Sequence, residues 1–71
     1  MPSSNAILSS PLAYHLAFRS LRQPGRGYAF PCDDAGAVLL DELSERARDN
    51  YFYARACVGR EFLTPEIVQD H

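Results

Sequence analysis

The side chains in this chain that are able to do chemistry are few: two cysteines, two histidines and nine carboxylates among 71 residues. A thiol nucleophile needs a base within hydrogen-bond reach, and Cys32 and His15 are the pair that a hairpin would bring together. Pairing of neighbouring strands makes such proximity common without any catalytic role. We therefore assign both residues structural roles, name no catalytic residue and predict that the protein is not an enzyme.

A metal site assembled from the same part of the chain is also not favoured. The two cysteines belong to no Cys-x-x-Cys or zinc-ribbon pattern, and the other available ligands fall on different predicted elements. The sequence therefore predicts no metal and no cofactor. The residues nearest to a ligand set for such a site are Cys32, Asp33, His15 and Cys57.

Three arginines, Arg19, Arg22 and Arg26, cluster around a predicted hairpin that also carries aromatic residues. Basic sheets with aromatic side chains are one way in which proteins bind single-stranded nucleic acid. The alternative function is therefore a small nucleic-acid-binding regulator that uses this hairpin. The net charge of −2 argues against nucleic-acid binding, because proteins that bind nucleic acids usually carry concentrated positive charge.

The run Tyr51-Phe52-Tyr53 is the most informative feature for function. Consecutive helix positions differ by about 100°, so three successive aromatic residues cannot all face one sheet. At least one must point away from the core. Either the chain from 62 to 68 covers Phe52, or the side chain belongs to a surface that binds another protein.

We predict that the protein-interaction residues are Tyr51, Phe52, Tyr53 and Ala56. The leading hypothesis is a non-enzymatic interaction module that is a homodimer or the small partner of a larger protein. Residues 1–32 carry three arginines and no acid, whereas residues 33–71 carry the other four arginines and all nine acids. Halves of opposite charge are able to attract each other within the fold or across a dimer.

Two strands and a turn are expected to carry the arginines. Residues 12–19 alternate between apolar and other side chains, which favours a half-buried strand over a short helix. Pro24 and Gly25 then predict a turn, and residues 28–32 alternate again. Because Pro31 has no N–H to donate, this second strand is expected at a sheet edge or at a bulge.

The aromatic run lies on the predicted helix. Its apolar side chains recur with helical spacing, Asp41 is a suitable N-cap, and Gly59 is suited to the C-terminal end. A second turn at 33–36 comes before it, and residues 37–40 form either a brief third strand or the approach to the helix. Residues 61–68 follow as an edge strand or an extended tail. The apolar positions of the predicted helix are Leu40, Leu43, Ala47, Tyr51, Ala54 and Val58.

These elements predict an α+β fold in which a small antiparallel sheet of two to four strands packs on one long α-helix, in the order β-β-(β)-α-β. Residues 11–71 form a single domain, and residues 1–10 are expected to be a flexible N-terminal segment. Apolar residues make up 46% of the chain and charged residues 23%, which is typical of a globular protein.

The sequence shows no secretory signal and no apolar run of the ~18 residues that a membrane span needs. We therefore expect a cytoplasmic protein with free thiols and without membrane contact. All seven basic residues are arginine and nine residues are alanine, which suggests a GC-rich bacterial genome.

Overall fold

The computed structural model describes residues 13–70, which form three strands and one α-helix. Strands β1 (Tyr14–Arg19), β2 (Gly27–Cys32) and β3 (Glu66–Gln69) make an antiparallel sheet in the order β2-β1-β3. Helix α1 (Glu45–Ala56) lies between β2 and β3 in the chain. The predicted α+β class and the element order β-β-α-β are confirmed. The predicted flexible segment 1–10 lies outside the described residues.

Strand β1 is central in the sheet and forms hydrogen bonds with β2 along one edge and with β3 along the other. Beyond its end, the Ser20 N–H donates to the Arg26 carbonyl and continues the ladder with β2. On the other side, the carbonyls of Ala13 and Arg19 accept hydrogen bonds from the N–H groups of Asp70 and Leu63. Since hydrogen-bonded pairs alternate in antiparallel ladders, even-numbered residues of β1 bond to β2 and odd-numbered residues bond to β3. The segment after the helix is thus an edge strand, one of the two predicted alternatives.

Pro31 lies on an edge strand, as its missing N–H predicts. It sits opposite His15, and its carbonyl accepts a 3.0 Å hydrogen bond from the N–H of Leu39 on the side away from β1. The backbone of Pro31 therefore faces outward, and no hydrogen bond of the β1–β2 ladder is lost. An isolated β-bridge between Cys32 and Val38 adds to this contact. Residues 37–39 therefore line the outer edge of β2 without forming a full strand.

The β1–β2 hairpin depends on two glycines with positive φ. Gly25 follows Pro24 at φ +83°, and the Arg26 N–H closes the turn on the Gln23 carbonyl at 3.0 Å. Gly27 has φ +152°, and a Cβ there would lie 2.1 Å from the carbonyl oxygen of Phe18. Any larger residue at Gly27 must therefore displace the backbone of β1.

Helix α1 begins at Glu45, so the prediction that Asp41 is the N-cap was wrong. Ser44 is the cap, and its side chain accepts a 3.1 Å hydrogen bond from the Ala47 N–H. The cause is the pairing of Leu39 with β2, which holds the chain at the sheet edge until residue 39. A 3₁₀ turn (Leu40–Glu42) then redirects it toward the sheet face. The helix ends at Ala56 with Cys57 as its C-cap, two residues before Gly59, whose φ is +89°. The predicted helix was therefore too long at both ends, and Leu40, Leu43 and Val58 lie outside it.

The core lies between α1 and one face of the sheet, and Phe18 is its centre at 1% exposure. The Phe18 ring makes edge contacts with Phe30 at 5.8 Å, Tyr51 at 6.3 Å and Phe62 at 6.4 Å between centroids. Such aromatic pairs add to the free energy of area burial. One ring from β1 thereby joins β2, the helix and the segment after the helix. The buried side chains are Leu16, Phe18, Phe30, Cys32, Ala54 and Phe62.

Replacing Phe18 tests this arrangement. Truncation of a buried Phe to Ala costs about 3–5 kcal/mol, which is comparable to the whole stability of a small domain. We expect Phe18→Ala to be largely unfolded by far-ultraviolet circular dichroism. Phe18→Leu is expected to fold and to lose about 1–2 kcal/mol in urea denaturation. Leu21→Ala, at an exposed position, is the control and should change stability by less than about 0.5 kcal/mol.

The hairpin glycines give a second test of the fold. A Cβ at position 25 would meet no atom within 4 Å, so Gly25→Ala should lose only the stability that a positive φ costs an alanine, about 1–2 kcal/mol. Gly27→Ala has that cost and also forces the Phe18 carbonyl away, so we expect a loss of about 3 kcal/mol or more. Urea denaturation of the two variants side by side measures the difference. Equal losses would contradict the close approach at Gly27.

Candidate interaction surface

One exposed strip of α1 faces away from the sheet. At about 100° per residue, six positions lie within about 60° of Phe52 around the helix axis. Ala54, which is fully buried, lies on the opposite side. All six residues are exposed, and we call them the outer strip. They are Glu45, Arg48, Asp49, Phe52, Arg55 and Ala56.

The structure separates the three consecutive aromatic residues. Tyr51 turns into the core, where its ring lies 5.4 Å from that of Phe30. The Phe52 ring lies 5.3 Å from that of Tyr51 but remains 52% exposed. The chain from 62 to 68 does not cover it, because that segment carries Phe62 into the core and then joins the sheet as β3. Phe52 is therefore the aromatic side chain that points away from the core.

Tyr53 lies at the border of this surface. It is 50% exposed, and its ring packs edge-on against Phe62 at 6.0 Å. The pKa of Tyr53 is raised above its ordinary value, first by the charge of the neighbouring Cys57 and second by the hydrogen bond between the two side chains. Tyr53 therefore stays neutral at physiological pH and offers its ring as apolar area.

The charges of the outer strip are balanced, with two arginines and two acids. Arg55 lies over the Tyr51 ring with its guanidinium carbon 5.7 Å from the centroid. Arg48 donates a long 3.4 Å hydrogen bond to the carbonyl of Leu40 in the 3₁₀ turn. Ala56 is one turn beyond Phe52 and leaves room for a neighbouring backbone. The outer strip thus combines one large apolar side chain, one small residue and both signs of charge.

Two of the three hairpin arginines form ion pairs with carboxylates. Arg19 lies 3.8 Å from Glu66, and Arg22 lies 3.3 Å from Glu61. Among residues 13–70, no carboxylate lies within ion-pair distance of Arg26. Arg22 and Arg26 line a shallow cavity of about 330 Å³ on the helix side of the hairpin, and Arg19 and Arg26 line another of about 540 Å³. The hairpin carries less free positive charge than its sequence indicates.

Cys32 and His15 do not meet as a nucleophile and base. Cys32 is paired with Tyr14 and His15 with Pro31, so their side chains lie on opposite faces of the sheet. Burial raises the pKa of the Cys32 thiol, and the charges of Asp33 and Asp70 raise it further. The Nδ1 atom of His15 lies instead 2.5 Å from Oδ1 of Asp70, beside β3.

No cluster of three or more His, Cys, Asp or Glu side chains within residues 13–70 is arranged to hold a metal ion. In the same part of the chain, no helix has both the length and the apolar character that crossing a membrane requires.

Comparison with known proteins found no match to a protein family, to a curated protein or to a solved structure. Function is therefore inferred from the chemistry of the surfaces described above.

The aromatic run led to the prediction of Tyr51, Phe52, Tyr53 and Ala56, of which Phe52 and Ala56 lie on the outer strip, but it did not predict the charged members of the strip. The charged members are Glu45, Arg48, Asp49 and Arg55. Their signal was present in the spacing, because they lie three, four or seven positions from Phe52 along the helix. A pattern of apolar residues does not reveal them, since they occupy the polar side of the helix.

The environments of the two thiols predict unequal reactivity. A raised pKa lowers the thiolate fraction at neutral pH, and burial also blocks access, so Cys32 should react slowly with iodoacetamide at about pH 7.5. Cys57 is half-buried and should react first. Mass spectrometry of peptides from timed samples gives both rates, and Cys57→Ser isolates that of Cys32. Labelling of Cys32 in the folded protein at its rate in urea would contradict the described burial.

Proposed function

We propose that the protein is a non-enzymatic interaction module that binds another protein through the outer strip of α1, with Phe52 at its centre. It acts as a homodimer or as the small partner of a larger protein, in the cytoplasm of a bacterium. The observation that carries the proposal is the half-exposed ring of Phe52 on the helix face opposite the core.

The composition of the surface supports this proposal. Single exposed apolar residues are ordinary on protein surfaces, but Phe52 lies next to the half-exposed Tyr53 and one turn from the exposed Ala56. Aromatic side chains and arginine are enriched where proteins meet. Charged residues border the apolar centre along the helix. A large apolar side chain inside a polar rim is the usual anatomy of a protein-binding site.

The positions of the titratable side chains support the non-enzymatic part of the proposal. Cys32 and His15 lie on opposite sheet faces, and the pKa of Cys32 is raised, which disfavours the thiolate that a nucleophile needs. Cys57 is paired with Tyr53, whose own pKa is raised rather than lowered. The raised pKa of Cys32 therefore supports a role other than nucleophilic catalysis for this thiol.

The alternative function, a nucleic-acid-binding regulator, has less support. It depends on Arg19, Arg22 and Arg26, and two of these face carboxylates. Phosphate contacts would have to compete with Glu66 and Glu61 for the guanidinium groups. Titration of a labelled single-stranded oligonucleotide at low salt separates the two functions, since salt-sensitive binding that is lost in Arg26→Ala would favour the alternative.

The test of the proposed function is Phe52→Asp. A carboxylate at the centre of the interface must be desolvated on binding, so we expect association to be lost while helix content is unchanged. Leu63→Asp is the matched control, because Leu63 is 49% exposed, close to the 52% of Phe52, but lies away from α1. Light scattering after size-exclusion chromatography, over a range of concentrations, gives the molar mass of each form.

A wild-type mass above that of the monomer, reduced by Phe52→Asp and retained in Leu63→Asp, is the expected result. If the wild type is monomeric, immobilised wild type should retain a protein from a cell extract that Phe52→Asp loses and Leu63→Asp keeps. Identical behaviour of wild type and Phe52→Asp in both experiments would refute the proposed function.

A further inference from the structure

We infer that the partner of the outer strip is a second copy of this chain, with the two α1 helices packed side by side in parallel and Arg48 of each copy beside Asp49 of the other. This inference rests on the proposed function and specifies its partner. Its basis is the arrangement of charges on the outer strip, which favours one direction of packing over the other.

The outer strip has the charge balance of a self-complementary surface. Its two arginines and two acids sum to no net charge, whereas the whole chain carries −2. A strongly acidic or strongly basic partner would gain nothing from such a strip. A second copy brings the same apolar centre and the same two signs of charge, as the isologous interface of a two-fold dimer requires.

The direction of packing follows from which charges share a side of the strip. Viewed along the helix axis, Arg48 and Arg55 lie to one side of Phe52, and Asp49 and Ala56 lie to the other. A two-fold axis parallel to the helices brings opposite sides together at the same height. Arg48 then lies beside Asp49 of the second copy, and this pair occurs twice in the dimer.

Antiparallel packing about Phe52 has the opposite outcome. A two-fold axis perpendicular to the helices brings the same sides together and reverses their order along the helix. Arg48 of each copy would then lie beside Arg55 of the other, again twice. Like charges placed directly opposite across an interface are unfavourable, so this direction is disfavoured.

Parallel packing also sets the remaining contacts of the strip. The two Phe52 rings meet at the same height, and the two Ala56 residues one turn later allow the helices to approach closely. At the N-terminal end the two Glu45 carboxylates approach each other. Arg48 of the facing copy lies one turn away from each of them and offsets their repulsion.

Charge reversal at the two paired positions tests the inference. Arg48→Asp makes positions 48 and 49 both acidic, and Asp49→Arg makes both basic. Each variant is measured alone and in an equimolar mixture at the same total concentration, by analytical ultracentrifugation. Arg46→Asp is the control, since Arg46 is exposed on α1 but lies outside the outer strip. Circular dichroism checks that every variant is folded.

Each single variant turns two attractive pairs into two repulsive ones, so we expect its dimer dissociation constant to rise about tenfold. In the mixture, the acid introduced by Arg48→Asp faces the arginine introduced by Asp49→Arg, and the second pair keeps its wild-type residues. The mixture should therefore dimerise within about threefold of wild type and more strongly than either variant alone. Arg46→Asp should dimerise as wild type does.

Four outcomes would overturn the inference. Tighter dimerisation of Arg48→Asp alone would show antiparallel packing, because the new acid at position 48 would then face Arg55. A mixture that behaves as the average of its components would show that the two positions do not meet. A wild type that stays monomeric while another protein binds it in a Phe52-dependent way would leave the proposed function standing with a different partner. Dimerisation that is unaffected by Phe52→Asp and by the charge reversals would refute the inference and the proposed function together.

Discussion

The packing of the Phe18 ring against three other aromatic rings is the contact on which the rest of the structure depends. Those rings come from β2, from α1 and from the segment after the helix, so one side chain of the central strand positions three separate parts of the chain. A domain this short buries a small core, and few alternative contacts are available to hold the helix. The contact also fixes the rotation of the helix. Because Tyr51 must face Phe18, the next residue, Phe52, must face away.

Local sequence patterns predicted most of the fold because most of its elements are specified locally. Alternation marked β1, the Pro24-Gly25 pair marked the turn, and Pro31 marked the edge strand. The start of the helix could not be obtained in this way. Asp41 and Ser44 are equally good caps by residue type. The choice between them is made by the bond from Leu39 to Pro31, which joins parts of the chain that no periodicity connects.

The surface for which we propose an interaction role was predictable in outline only. Three consecutive aromatic residues on a helix require that one be exposed, but tertiary contacts decide which. Phe30 draws Tyr51 inward and Phe62 partly covers Tyr53, and neither contact is visible in the local sequence. The charge of the hairpin was overestimated for the same reason. The two carboxylates that neutralise Arg19 and Arg22 follow the helix in the chain and reach the hairpin only through folding.

The position of β1 between its two partners also affects how the protein folds. The β1–β2 hairpin closes locally, whereas pairing with β3 joins residues that are far apart in the chain, such as His15 and Val68. Contacts of such long range carry a larger loop-closure entropy cost than those of the hairpin. Until they form, the backbone N–H and C=O groups of the odd-numbered residues of β1 have no partner strand. This open edge is able to pair with any strand of suitable register. The β3 strand of a second molecule has that register, so at high concentration the fold is open to exchange of β3 between chains.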